Sequence, residues 1–215
     1  MRGARLLATI AFVALLTRTA SAEESWATKR ARDLTEQANA HRAAGRTDDA
    51  LSRYRQAIEM DGTYGAAYLG LAELREATGD IDEARQVLRV ALEAIPSFRE
   101  ARVAHADLLH RAKRYAESTV LLLEALRLDR DSVALLEKVL RTAPRAGALP
   151  VALGAARRLA SLAKARGDDR AAADAEVTAR ALTRLVSEAD PVKRGRRHTE
   201  QARRALALAA DPRAR

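Results

Sequence analysis

The sequence predicts an all-α protein made of stacked antiparallel helix pairs. Small residues recur with a period of 34, as at Gly45 and Gly79 and again at Ala57 and Ala91. The chain is 48% hydrophobic but only 3% aromatic, so its core must be built mainly from Ala and Leu. Interiors of this kind suit closely packed helices and suit strands poorly. A fixed period of this length is typical of helical arrays, in which each unit packs on its neighbours.

The first 22 residues are set apart from this fold. "MRGAR" is a short basic start, "LLATIAFVALL" is an apolar run of 11, and "TRTASA" ends in small residues before Glu23. This order is that of a secretory signal peptide, and the run is shorter than the about 20 residues that span a bilayer. We therefore expect residues 1–22 to be removed on export to the periplasm or beyond. A buried N-terminal helix and an uncleaved anchor are the alternatives.

Residues 23–132 fit three helix pairs on the 34-residue ruler. In each pair a first helix is followed by a break, at Gly45, Gly79 and Lys113, and then by a second helix. The second helices carry small and large residues at spacings of 3, 4 and 7, the stripe of an amphipathic helix. These residues are Ala50, Tyr54 and Ala57, then Ala84, Leu88 and Ala91, then Ser118, Leu122 and Ala125.

The second pair shows the local chemistry of the turn and of the stop. Gly79 supplies the left-handed backbone conformation that ends a helix without a Cβ clash. Asp80, with Glu83 three residues later, predicts a capping box at the start of the next helix. Pro96 then stops that second helix.

These residues resemble the tetratricopeptide repeat (TPR). The stretch "GLAELREATGDIDEARQVLRVALEAIP" is the copy that best follows its pattern of Gly, acidic-x-Ala, Leu or aromatic, Ala and Pro. The third copy departs from it, with Lys113 for the glycine, Ser118 for the alanine and Arg130 for the proline. The resemblance covers about residues 31–132 and implies a right-handed solenoid of antiparallel helix pairs.

Residues 133–190 are predicted to form a divergent C-terminal helical segment. Gly167, Ala172 and Ala179 repeat the spacings of the first two copies, but Glu176 stands where Leu88 stands in the second. Terminal units of solenoids are atypical because one face meets water. The segment is therefore either a further, degenerate pair or a cap.

The resemblance also implies a concave binding groove, formed mainly by the first helix of each pair. Such a groove holds an extended peptide or a partner helix. Exposed charges that do no more than solvate the helix face are the alternative. Carried over residue by residue, the groove residues are Arg32, Thr35, Asn39, Arg42, Glu73, Glu76, Asp107 and Arg111.

Catalytic chemistry has little support in the sequence. The four histidines form no H-x-x-x-H or H-E-x-x-H unit, and no phosphate-binding or nucleophile-elbow motif occurs. The chain has no cysteine, so disulfides and thiolate metal sites are excluded. We expect no catalytic residue, metal or cofactor. We expect Trp26 to pack on the first helix pair as an N-terminal lid.

Residues 191–215 form a basic tail with eight basic and two acidic side chains, out of a formal charge of +9 for the whole chain. Its basic cluster is Lys193, Arg194, Arg196 and Arg197. Three interpretations compete: a solvated end, a contact with anionic lipid or polysaccharide, and a protein docking segment. Nucleic acid is not an expected partner, because no aromatic residues interleave with the basic ones.

Together these features predict a non-enzymatic interaction or scaffolding protein of the bacterial cell envelope. The excess of arginine over lysine is that of a GC-rich bacterial genome. The alternative function is an envelope-associated accessory factor whose tail contacts anionic lipid or polysaccharide. An incompletely capped end of the array could also pair with a second copy, making a homo-oligomer.

Overall fold

The computed structural model describes residues 25–189, and every regular element within that range is a helix. The predicted all-α fold is confirmed. The proposed signal peptide and the basic tail lie outside the described residues. None of the helices within 25–189 is both long and apolar enough to cross a bilayer. The chain divides into two compact units after Phe98.

Unit 1 consists of two antiparallel helix pairs. Helix α1 packs on α2, α3 packs on α4, and α3 also contacts both helices of the first pair. The helices are α1 (Trp26–Ala43), α2 (Thr47–Met60), α3 (Gly65–Ala77) and α4 (Ile81–Ala94).

Unit 2 begins with a third pair and continues into the divergent segment. Helix α5 packs on α6, α7 lies between α6 and α8, and α9 packs along α8. A 3-10 helix, Ala143–Ala146, joins α7 to the loop before α8. The helices are α5 (Arg99–Arg111), α6 (Tyr115–Leu128), α7 (Val133–Thr142), α8 (Leu149–Ala165) and α9 (Asp169–Ala189).

The predicted stripe of the second helices forms the core. Tyr54, Leu88 and Leu122 stand at the same place in successive pairs, and all three are fully buried. The small residues on either side of them are also buried, so the helices of a pair approach closely. Ser118, which replaces an alanine of the pattern, is satisfied because its hydroxyl donates to the carbonyl of Ala106 at 2.7 Å.

The breaks between paired helices have the backbone conformation that the sequence predicts. Gly45, Gly79 and Gly167 have φ of 73°, 89° and 73°. Lys113 takes the same turn with φ 60°, and within residues 25–189 it is the one non-glycine residue with positive φ. The turn is therefore kept even where its glycine is lost.

The capping box predicted at Asp80 is wrong. The Asp80 side chain makes no hydrogen bond to the start of α4. Its carboxylate instead accepts from Arg75 Nη1 at 3.0 Å and from the Thr78 hydroxyl at 2.9 Å. Arg75 also pairs with Glu83 at 2.9 Å. An arginine of the preceding helix thus takes both acids that would have formed the box.

The expected packing of Trp26 is also wrong. This side chain opens α1 and is 73% exposed. Ser25, just before it, caps the helix by accepting from the Ala27 amide at 3.3 Å.

Candidate functional site: the first-helix surfaces

The first helices of each unit present the residues that the sequence assigns to a groove. We define the first-helix surface of unit 1 by α1 and α3, and that of unit 2 by α5 and α7. Five predicted groove residues lie in unit 1 and two lie in unit 2. The two surfaces are described separately below.

An ion pair links α1 to α3 across the surface of unit 1. Arg42 Nη1 lies 2.8 Å from Glu73 Oε2, and both side chains remain open to solvent. The hydrogen bond from the Arg42 guanidinium to Glu73 raises the pKa of Arg42 above its ordinary value. Two residues assigned separately to the groove therefore form one paired unit.

Asn39 is tied to the core of unit 1. Its side-chain oxygen accepts from the Tyr54 hydroxyl at 2.5 Å, and burial raises the pKa of that tyrosine. Tyr54 in turn packs against Gly70 of α3. Asn39 thus serves the packing of the helix pair as well as the surface.

Three further positions of unit 1 differ in their exposure. Arg32 is exposed, and Glu76 is half-buried. Thr35 is only 5% exposed, and its hydroxyl donates to the carbonyl of Ala31 at 2.8 Å. Its assignment to the groove is wrong, because a small hydroxyl that bonds its own helix can be buried there.

A second ion pair links α5 to α7 across the surface of unit 2. Lys138 Nζ lies 2.5 and 2.7 Å from the two carboxylate oxygens of Asp107. Sequence reasoning missed Lys138. A usable signal exists, because Lys138 follows Asp107 by 31 residues, the separation between Arg42 and Glu73. Arg111, the other predicted groove residue of this unit, is exposed.

A polar cluster around His110 lies beside this pair. Arg145 Nη1 is 3.1 Å from His110 Nε2, and Thr142 Oγ1 is 2.9 Å from Nδ1. A guanidinium can only donate, so Nε2 accepts and the proton lies on Nδ1, which donates to Thr142. The ring also meets Tyr115 edge to face, with centroids 5.2 Å apart, and Arg145 lies over that tyrosine.

Burial lowers the pKa of His110 below its ordinary value, and the nearby positive charges lower it further. Arg145, Arg141 and Lys138 supply those charges, and Asp107 opposes them. The imidazole is therefore held neutral in a locally positive environment.

The arrangement offers recognition rather than reaction chemistry. Among residues 25–189, no three His, Asp or Glu side chains are grouped as ligands for a metal ion. The surface groups are instead ion pairs and hydrogen-bonded side chains held at the edges of packed helices. Groups of this kind bind the charged and polar parts of another chain.

Comparison with known proteins decides the family. Residues 41–103 match a family model described as the tetratricopeptide repeat. This chain is a TPR protein. Stacked TPR units present extended binding surfaces, and TPR proteins are generally non-enzymatic scaffolds for protein–protein interaction. No curated protein matches the chain.

Solved TPR structures resemble this chain in fold. The crystal structure of MamA protein is 14% identical with a TM-score of 0.52, and the match covers 75% of this chain and 94% of that one. A structure of MamA from residue 41 to its end, from Desulfovibrio magneticus RS-1, is 14% identical with a TM-score of 0.51. That match covers 73% of this chain and 96% of the other. At this identity the likeness shows a shared fold.

Proposed function

We propose that this protein is a non-enzymatic scaffold of the bacterial cell envelope that binds a peptide or partner helix on its first-helix surfaces. The observation that carries the proposal is that exposed ion pairs, Arg42–Glu73 and Asp107–Lys138, lie on the helices that form the binding face of TPR proteins. The proposed site residues remain Arg32, Asn39, Arg42, Glu73, Glu76, Asp107 and Arg111, joined now by Lys138.

Export follows from the sequence of residues 1–22. It is tested by fractionating cells that express the full chain and by sequencing the N-terminus of the recovered protein. We expect the mature chain to begin at Glu23 and to be absent from the cytoplasmic fraction. Full-length protein confined to the cytoplasm contradicts the proposed location.

The binding surface is tested with charge-swapped proteins that keep each internal ion pair. One variant carries Arg42→Glu with Glu73→Arg, and another carries Asp107→Lys with Lys138→Asp. Each swap preserves net charge and the attraction within the pair, but it reverses the pattern of charge that a partner meets. Equal helix content by circular dichroism confirms that the fold is kept.

Proteins captured from an envelope extract by the wild type are purified and titrated against all three proteins by calorimetry. We expect at least one swap to weaken binding tenfold or more, which corresponds to about 1.4 kcal/mol. Equal affinity for wild type and both swaps overturns the proposed surface. Loss of binding on deletion of 191–215 alone identifies the basic tail as the working contact instead.

A further inference from the structure

The last helix pair leaves open a face that is filled in the first pair. Aligning Gly45 with Gly167 places α1 and α2 on α8 and α9, and it places Ala57 on Ala179 and Tyr54 on Glu176. In the first pair this face receives α3, and Tyr54 beneath it is fully buried. In the last pair the same face is a cleft of about 480 Å³.

The cleft has an alanine floor and a cationic rim. Ala160 and Ala179 are 7% and 9% exposed at its base, and small side chains there leave room for another helix. Arg157, Lys164 and Arg180 line its sides. Lys164 takes the place of Arg42, the residue that pairs with α3 in unit 1.

One acid offsets part of this positive charge. Glu176 lies 2.6 Å from Lys164 and 3.3 Å from Arg180. The hydrogen bond from Lys164 lowers the pKa of Glu176, so this carboxylate is charged. Three cations against one anion leave the rim positive, and Arg157 has no hydrogen-bond or ion-pair partner among residues 25–189.

The outer face of α1 carries the opposite charge. On the 34-residue ruler, the residues by which α3 meets the first pair, Ala67, Gly70 and Leu74, correspond to Asp33, Glu36 and Ala40 of α1. Within residues 25–189 no helix precedes α1 to cover this face. Asp33 and Glu36 form no hydrogen bond or ion pair with the rest of that range, and Lys29 lies one turn before them.

Exposed Trp26 lies on the same face. It precedes Asp33 by seven residues, two turns of the helix, so both point away from α2. A large aromatic side chain that is 73% exposed beside a row of unpaired acids is typical of a protein interface. The outer face of α1 thus has an apolar anchor and an acidic strip.

We propose that copies of this chain associate head to tail, with the outer face of α1 of one copy lying in the α8–α9 cleft of the next. The first helix of one copy then takes the position that α3 takes within unit 1. Asp33 and Glu36 meet the cationic rim, and Trp26 becomes buried. The contact joins two different faces, so it generates rings or open chains rather than a two-fold dimer. It is separate from partner binding on the first-helix surfaces.

The test uses the purified protein at increasing concentration in low salt. We expect the mean mass from sedimentation to rise above the 23.4 kDa of the full chain, or the corresponding mass after processing. Trp26 is the sole tryptophan, so its emission reports this contact directly and is expected to shift to shorter wavelength as the mass rises. Added salt should reverse both changes, because it screens the exposed charges.

Charge reversal on each face tests the pairing. One variant carries Asp33→Lys and Glu36→Lys, and the other carries Arg157→Glu and Arg180→Glu. We expect each alone to associate at least tenfold more weakly than the wild type, and an equimolar mixture of the two to recover association. A variant with Glu59→Lys and Glu137→Lys changes net charge by the same amount on other exposed acids and should behave as the wild type.

Two outcomes overturn the proposal. The first is a wild-type protein that stays monomeric up to about 1 mM, the dissociation constant that corresponds to about 4 kcal/mol. The second is association that neither reversal weakens or that the mixture does not recover. Loss of helix content in a variant does not imitate recovery in the mixture, so misfolding is distinguished from loss of the contact.

Discussion

Gly70 of α3 lies directly against the ring of Tyr54 on α2. A Cβ placed on Gly70 would come within 2.3 Å of Tyr54 Cε1 and 2.6 Å of Cζ, and the tyrosine is fully buried. The absence of a side chain at Gly70 is therefore what allows α3 to meet the first helix pair around a large aromatic residue. The contact joins a sequence choice to the packing of successive repeats.

Gly70→Ala is expected to destabilise the protein by about 1–3 kcal/mol. Alanine favours a helix by about 1 kcal/mol over glycine, but the overpacking against Tyr54 exceeds that gain. The free energy of unfolding in urea measures the effect. Gly154→Ala in α8 is the matched control, because a Cβ there meets nothing within 4 Å, and it should stabilise by about 0.5–1 kcal/mol. Equal effects of the two changes would contradict the steric explanation.

Lys113→Gly is expected to stabilise the protein by about 0.5–1 kcal/mol. Lys113 holds φ 60°, a conformation that costs an L residue about 1–2 kcal/mol, and the greater freedom of glycine in the unfolded chain offsets part of the gain. Urea unfolding measures it. Lys113→Ala controls for the lost charge and should leave stability within about 0.5 kcal/mol of the wild type. A stabilisation of the same size by alanine would show that charge, not backbone conformation, is responsible.

The sequence predicts the repeat core and the turns because one physical requirement acts at each position. Tyr54, Leu88 and Leu122 must fill the space between helices, and Gly45 and Gly79 must take a left-handed turn. The 34-residue ruler exposes both requirements, because the same contact recurs in each pair.

The side-chain pairs are less predictable, since partners come from other helices and compete. Asp80 has the spacing of a capping box, but Arg75 reaches it from α3 and takes its carboxylate. Trp26 has the composition of a core residue, yet the face of α1 on which it lies meets no other helix within residues 25–189. Asp107 is recognised as a surface acid, whereas its partner Lys138 lies in the divergent segment, beyond the clear repeats.

His110 makes stability depend on pH. Its pKa in the folded protein is below the ordinary value of 6.5, so the unfolded chain takes up this proton first as the pH falls. The contribution of His110 to stability is therefore full above pH 6.5 and is lost as the pH falls towards its lowered pKa. Protonation would also end the bond that Nε2 accepts from Arg145 and set the imidazolium against Arg145, Arg141 and Lys138, with Asp107 and Tyr115 alongside.

Arg145→Gln is expected to raise the pKa of His110, which NMR titration of the ring protons measures. The change removes the nearest positive charge that opposes protonation. Arg127→Gln, at an exposed arginine of α6 that is not among the groups acting on His110, should leave that titration unchanged. An unaltered titration in the Arg145 variant would show that burial alone holds the imidazole neutral.

The two ion pairs that link first helices should differ in their response to salt. Double-mutant cycles to alanine are expected to give coupling energies of about 0.2–1 kcal/mol for Arg42–Glu73, since that pair is exposed. Lys138 is 26% exposed and Asp107 41%, against 38% and 64% for Arg42 and Glu73, so water and salt screen the Asp107 pair less. Its coupling should therefore be larger and fall less as sodium chloride is raised. Urea unfolding of the wild type, the single variants and the double variants at low and high salt measures both couplings. An Asp107–Lys138 coupling that disappears in salt as readily as that of Arg42–Glu73 would show that the difference in burial does not govern these contacts.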